Sequence, residues 1–173
     1  MESPKNALRL AGIVRESIVD GPGLRFVVFA QGCPHHCQDC HNQGTHDFQG
    51  GFDCSAENVL KEMDKNPLLA GVTFSGGEPF CQSEAFYELA LKVKERKLHL
   101  LAFSGYTLDE LLEMSSCNPW IAKLLGCIDT LIDGPFIAEE KDLTLQFRGS
   151  KNQRYVKKEE IQTSLKKVLY KGK

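Results

Sequence analysis

Long apolar runs are missing from this chain. No stretch approaches the roughly 18–20 apolar residues that a membrane span needs, so the sequence carries no expectation of a transmembrane helix. The opening decapeptide MESPKNALRL is polar and lacks the apolar centre of a secretory signal. Net charge is also small. Lys and Arg number 21 against 23 Asp and Glu, a formal balance of -2, and the pI is about 6.2. There is no global basic field to recruit nucleic acid. Repeats and low-complexity segments are absent. These gaps together describe a cytosolic protein with neither membrane nor nucleic acid as a partner.

Cysteine is plentiful by comparison, with seven in 173 residues. An odd count disfavours a complete disulfide framework, and cytosolic cysteines are mostly thiols or metal ligands. The length suits one domain spanning 1–173, and an apolar share of 42% is enough for a real core. The end of the chain is locally basic. Lys151, Arg154, Lys157, Lys158, Lys166, Lys167, Lys171 and Lys173 face only Glu159 and Glu160 there. This reads as the solvated face of a tail or helix over 156–173.

Four apolar runs read as strands buried on both faces: Leu24 to Ala30, Ala70 to Ser75, Leu98 to Ser104 and Ile128 to Asp133. A fifth strand is expected over Leu8 to Val14. Helices are expected between them: one from about Ser55, one over Ser83 to Lys97 with Ser83 as its cap, one after Thr107, and a short one opened by Pro119. Strand starts near 24, 70, 98 and 128 give βα spacing, with an excess in the first interval. The expectation is an α/β fold with mainly parallel strands, either an incomplete (β/α) barrel or an open sheet. In both, sites form at the C-terminal ends of strands.

The excess holds the segment Gly32-Cys33-Pro34-His35-His36-Cys37-Gln38-Asp39-Cys40-His41-Asn42, with spacing C-x3-C-x2-C. A cubane iron–sulfur cluster takes thiolates on separate corners, so its cysteines sit close together on an irregular loop. Three thiolates leave a fourth iron open, by the logic that leaves a catalytic zinc one ligand short. Two other readings stand beside this one. One is a Cys3His zinc site using His35, His36 or His41. The other is a closed cluster taking its fourth ligand from Cys54, Cys81, Cys117 or Cys127. None of those four lies in a C-x2-C pair, and each reads as a small buried apolar residue.

A second motif, Gly76-Gly77-Glu78-Pro79, follows the strand at 70–75. Two residues without a Cβ let a ligand lie against the backbone. Glu78 and exposed carbonyls suit the ammonium group of an amino-acid-like ligand. Its place after a strand puts it on the same rim as the cysteine loop. Tyr106 and Asp133 end two further strands. Tyr106 reads as a ligand contact or a rim tyrosine, Asp133 as a polar contact or part of an Asp-Gly-Pro turn.

In these motifs the sequence resembles the radical S-adenosylmethionine superfamily, and within it the activating enzymes of glycyl-radical enzymes. The matching residues are Val19-Asp20-Gly21-Pro22-Gly23-Leu24-Arg25, the loop from Gly32 to Asn42, Ser75 to Pro79, and the ending Phe147-Arg148-Gly149-Ser150-Lys151-Asn152-Gln153-Arg154. The likeness covers about residues 8–155. It is greatest to the branch that activates anaerobic ribonucleoside-triphosphate reductase. One position departs: the superfamily usually has an aromatic residue just before the third cysteine, where this chain has Asp39.

The resemblance implies a [4Fe-4S] cluster on Cys33, Cys37 and Cys40 with S-adenosylmethionine as the second cofactor. It implies that Asp39, Cys40 and His41 line the nucleoside and that Gly76, Gly77 and Glu78 hold the methionine moiety. It also implies a flavodoxin-type electron donor and, as partner, the reductase whose glycine becomes a radical. The DGPG and RGSKNQR segments read as partner contacts or as turns closing the ends of the fold. A small-molecule radical enzyme of the deazapurine-forming type is the rival within the superfamily, and a non-catalytic iron–sulfur or zinc module the rival outside it.

Overall fold

A computed structural model describes residues 7–170. Its centre is a sheet of seven strands: β1 (Leu8–Ser17), β2 (Arg25–Ala30), β3 (Phe52–Cys54), β4 (Gly71–Gly76), β5 (His99–Ser104), β6 (Thr130–Asp133) and β7 (Arg154–Lys157). The order is β3-β1-β2-β4-β5-β6-β7. β2, β4, β5 and β6 run parallel. β1 joins β2 and β3 antiparallel, and β7 closes the other side antiparallel to β6. The fold is thus a mixed α/β sheet with a parallel centre. β3 and β7 are its edges, so the sheet is open.

Five helices accompany it: α1 (Ala56–Met63), α2 (Ser83–Glu95), α3 (Leu108–Met114), α4 (Pro119–Cys127) and α5 (Lys158–Tyr170). Ser55 caps α1 by accepting from the Asn58 N–H, and Thr107 opens α3 with a full capping box. The expected cap at Ser83 is corrected. Ser83 lies inside α2 because the short 3-10 turn Pro79–Gln82 runs straight into the helix. Its hydroxyl accepts from Asn118 Nδ2 at 3.1 Å instead. The basic end is helical as α5, with Ile161 and Leu165 buried. Lys171 and Lys173 lie outside the described residues.

Alternation along the parallel strands gives the sheet two different faces. Phe26, Val28, Val72, Phe74, Leu100, Ala102 and Leu131 join the apolar core with Phe86, Leu89 and Val93 of α2 and Leu111 of α3. Phe29, Ser75 and Phe103 point the other way and line a cavity.

One buried arginine seals the strand-start end. Arg25 is 0% exposed. Its Nε donates to Thr73 Oγ1 at 3.1 Å, its Nη1 to Pro22 O and His99 Nδ1, and its Nη2 to the carbonyls of Val72 and His99. All five guanidinium protons therefore have acceptors. Burial lowers this guanidinium to about 10. A guanidinium only donates, so His99 Nδ1 accepts, and the opposite ring nitrogen is free to donate to Thr130 Oγ1 at 3.2 Å. Thr73 Oγ1 in turn donates to Asp20 O at 2.7 Å. The DGPG segment is thereby pinned across the sheet by Arg25 and Thr73.

Candidate functional site

The cysteine loop leaves β2 through Gln31 and Gly32. Gly32 has φ +95° and no room for a Cβ, which would meet the Phe48 ring at 2.4 Å. Its N–H donates to Thr45 O at 2.7 Å, and the Cys33 N–H to His46 O at 3.1 Å. Gln31, 4% exposed, fixes the returning chain by donating from Nε2 to Asp47 O at 2.6 Å. Inside the loop, His36 and Asp39 take φ values of 47° and 55°. Left-handed turns at non-glycine residues are uncommon, and here they set the cysteines on separate bends.

The glycine motif lies directly beside this loop because β2 and β4 are parallel neighbours. Gly77 N–H donates to Ala30 O and Glu78 N–H to Gly32 O, both at 2.8 Å. A Cβ on Gly77 would sit 2.3 Å from Gly32 O, so glycine is required for this approach.

Cys33, Cys37, Cys40, His41, Gly76 and Gly77 all line one cavity of about 730 Å³, at the C-terminal ends of the parallel strands. Asp39 and Glu78, expected with them, do not line it. Glu78 is 0% exposed. Its carboxylate accepts from His35 Nε2 at 2.9 Å, from the Gly105 N–H at 2.9 Å and from the Phe80 N–H at 3.1 Å. Ser104 Oγ lies 3.0 Å from both of its oxygens. Sequence reasoning missed this network, in which His35 bridges the cysteine loop to Glu78. The ring also packs edge-on to Tyr106, with centroids 4.3 Å apart. Tyr106 is thus a support for His35. Asp133 is buried and accepts from the Leu108 N–H and from Arg154, so it joins α3 to β7.

All seven cysteines are free thiols. Burial pushes the Cys33 thiol up, with Glu78, Cys37 and Cys40 adding to the effect against an opposing backbone bond from His35. None of the other four cysteines lines the cavity. Cys54 and Cys127 are half-buried against the core rather than fully buried, and Cys81 and Cys117 are exposed. The Cys81 thiol is nevertheless pushed up to about 12, first by desolvation and then by Glu78 and Cys33.

A family model described as a 4Fe-4S single cluster domain matches residues 19–156. The anaerobic ribonucleoside-triphosphate reductase-activating protein of Vibrio cholerae is 34% identical over 144 residues, covering 79% of this chain and 89% of that one. The chain belongs to the family of anaerobic ribonucleoside-triphosphate reductase-activating proteins. The Haemophilus influenzae member is 33% identical over the same shares. These activating proteins are glycyl-radical activases of the radical S-adenosylmethionine type. The pyruvate formate-lyase-activating enzyme of Clostridium pasteurianum is 41% identical, over 53% of this chain and 40% of its own. Among solved structures, QueE from Escherichia coli superposes with a TM-score of 0.50 at 15% identity, over 61% of this chain and 55% of that one. That likeness is one of fold.

The donor set of this activating protein fits an iron–sulfur cluster. Three free thiols share one cavity wall beside two glycines, which is the ligand chemistry such clusters take. Among the described residues, no three His, Cys, Asp or Glu side chains gather as a metal-ion site.

Proposed function

We propose that this chain activates an anaerobic ribonucleoside-triphosphate reductase in the cytoplasm, with Cys33, Cys37 and Cys40 holding a [4Fe-4S] cluster that has one iron open. The observation that carries this reading is the sharing of one cavity by those three thiols and by Gly76 and Gly77. When bound on Cys33, Cys37 and Cys40, the cluster would supply the electron for reductive cleavage of S-adenosylmethionine, the radical chemistry that activates a reductase glycine.

The chain's own residues bind, place and shield. Cys33, Cys37 and Cys40 are the ligands. Gly76 and Gly77 present backbone without side chains, leaving room for the methionine moiety. His41, on the cavity wall, faces the nucleoside, and Asp39 shapes the turn that carries Cys40. Glu78 acts from behind the wall, holding the cysteine loop and β5 together through His35, Ser104 and Gly105. A flavodoxin-type protein is the electron donor. The whole of 1–173 works as one domain, its open sheet forming the incomplete barrel of the superfamily.

The test is to load the protein with iron and sulfide anaerobically, add reductase, S-adenosylmethionine and a reductant, and record electron paramagnetic resonance. A glycyl radical doublet is expected with the wild-type protein and none with Cys33→Ser, Cys37→Ser or Cys40→Ser. A doublet of undiminished size with any of these variants overturns the assignment of ligands. No doublet with a competent reductase overturns the activation itself.

A further inference from the structure

The segment from Arg148 to Arg154 is dense in polar side chains, and most of them are consumed by the fold. Gln153 Oε1 accepts from the Gly149 and Ser150 N–H groups, and its Nε2 donates to Gly134 O at 3.1 Å. Ser150 Oγ accepts from the Ile137 N–H, Asn152 Nδ2 donates to Pro135 O, and Arg154 pairs with Asp133. Two buried atoms are left over, Asn152 Oδ1 and Arg148 Nε, and of the two residues only Arg148 is charged. Its one side-chain bond runs from Nη1 to Gln153 O at 3.3 Å. Its Nε is buried without an acceptor, and Nη2 has no partner among the described residues.

Three further facts concern where this residue stands. Arg148 lines the same cavity as the three thiols, and among the described residues no other arginine and no lysine does so. The residue before it, Phe147, has φ +58°. An aromatic residue in that region is strained, and such strain gathers at ligand sites. The bond to Gln153 occupies Nη1, which leaves Nε–H and Nη2–H together on the opposite edge of the guanidinium. Two parallel donors on one edge are the fork that a carboxylate takes in bidentate fashion.

We propose that Arg148 is the carboxylate-recognising residue of this cavity, and that the Arg148–Arg154 segment is a brace that presents it. The inference rests on the functional reading above, which offers two sources of that carboxylate. One is the methionyl carboxylate of S-adenosylmethionine. The other is an acidic side chain that the reductase inserts into the cavity.

The experiment uses the anaerobically loaded protein and the variants Arg148→Gln and Arg148→Lys, with iron content as the check that each is folded and loaded. Equilibrium dialysis measures affinity for S-adenosylmethionine and for its decarboxylated analogue, and a second titration measures affinity for the reductase. If the methionyl carboxylate is the ligand, Arg148→Gln weakens S-adenosylmethionine roughly 10- to 100-fold and leaves the decarboxylated analogue unchanged. Arg148→Lys, which keeps the charge but not the fork, recovers part of the loss. If the reductase supplies the carboxylate, affinity for S-adenosylmethionine holds and affinity for the reductase falls by a similar factor. Unchanged affinity for both overturns the inference while leaving the functional reading intact. A loaded wild-type protein that binds neither overturns that reading and this inference with it.

Discussion

His35 Nε2 stands 2.9 Å from Glu78 Oε2, joining the residue two places after Cys33 to the carboxylate that follows β4. The ring is wedged. A Cβ on Gly105 would lie 2.3 Å from it, and the Tyr106 ring packs edge-on against it. The cysteine loop and the glycine motif, 43 residues apart, are thereby one unit before any cofactor is considered.

Removing this ring leaves a buried carboxylate short of one donor. His35→Ala is expected to cost about 1–3 kcal/mol of stability in the apoprotein, with His35→Gln losing less. Urea unfolding at constant pH measures both. Equal stability of His35→Ala and wild type would show that the tie carries no energy.

Gly77→Ala tests the approach of the two segments. The added Cβ would meet the backbone oxygen of Gly32 at 2.3 Å, and a backbone atom held by the Glu78 N–H has little freedom to retreat. A loss of about 1–3 kcal/mol is expected from overpacking, together with a lower iron content after loading. Thermal unfolding and iron analysis on one preparation check the two effects.

Arg25→Ala should be the most damaging of these changes. It strips donors from the carbonyls of Pro22, Val72 and His99 and from Thr73, and leaves a void beside Gly71. The expected cost is about 3–5 kcal/mol. Arg25→Lys should rescue little, because three ammonium donors on a flexible stem do not match five in a planar fork. Denaturant midpoints of the two variants decide it.

Asp129 gives stability a dependence on acid. Burial alone would raise its carboxyl, but bonds from Lys94 Nζ, the Leu100 N–H and Lys158 Nζ outweigh burial and hold it below the ordinary value. Arg25 on β2, a cation, and His99 on β5, whose ring is held neutral by burial and Arg25, also interact electrostatically with Asp129. A carboxyl depressed in the folded state adds stability above its unfolded value of about 3.9. It loses that contribution as the pH falls through the folded value. The stability difference between wild type and Asp129→Asn should therefore be constant above about pH 5 and shrink toward pH 2. A difference that stayed constant over that range would contradict the assignment.

Much of this architecture is legible in the sequence, for physical reasons that also mark the limit. The four parallel strands show themselves because burial on both faces demands unbroken apolar runs, and their starts fall within two residues of those observed. The cysteine loop and the glycine motif show themselves because thiolate spacing and the lack of a Cβ are local requirements. β3 is three residues long, and β7 lies in a basic stretch that reads as a tail, so neither carries a periodic signal. Glu78 reads as a ligand contact, yet its partners His35 and Ser104 lie 43 and 26 residues away. Asp133 reads as a turn or a polar contact because its ion-pair partner, Arg154, comes 21 residues later. Arg148 looks like any other residue of its motif until the structure places it on the cavity wall with its Nε unpartnered.

The central claim is a cluster with one iron left open, and the most direct measurement is the resonance spectrum of the reduced, loaded protein before and after S-adenosylmethionine is added. The expected result is a changed cluster signal, followed by methionine and 5′-deoxyadenosine in equal amounts. An identical spectrum with and without S-adenosylmethionine, or a fourth side chain bound to the cluster, would contradict it.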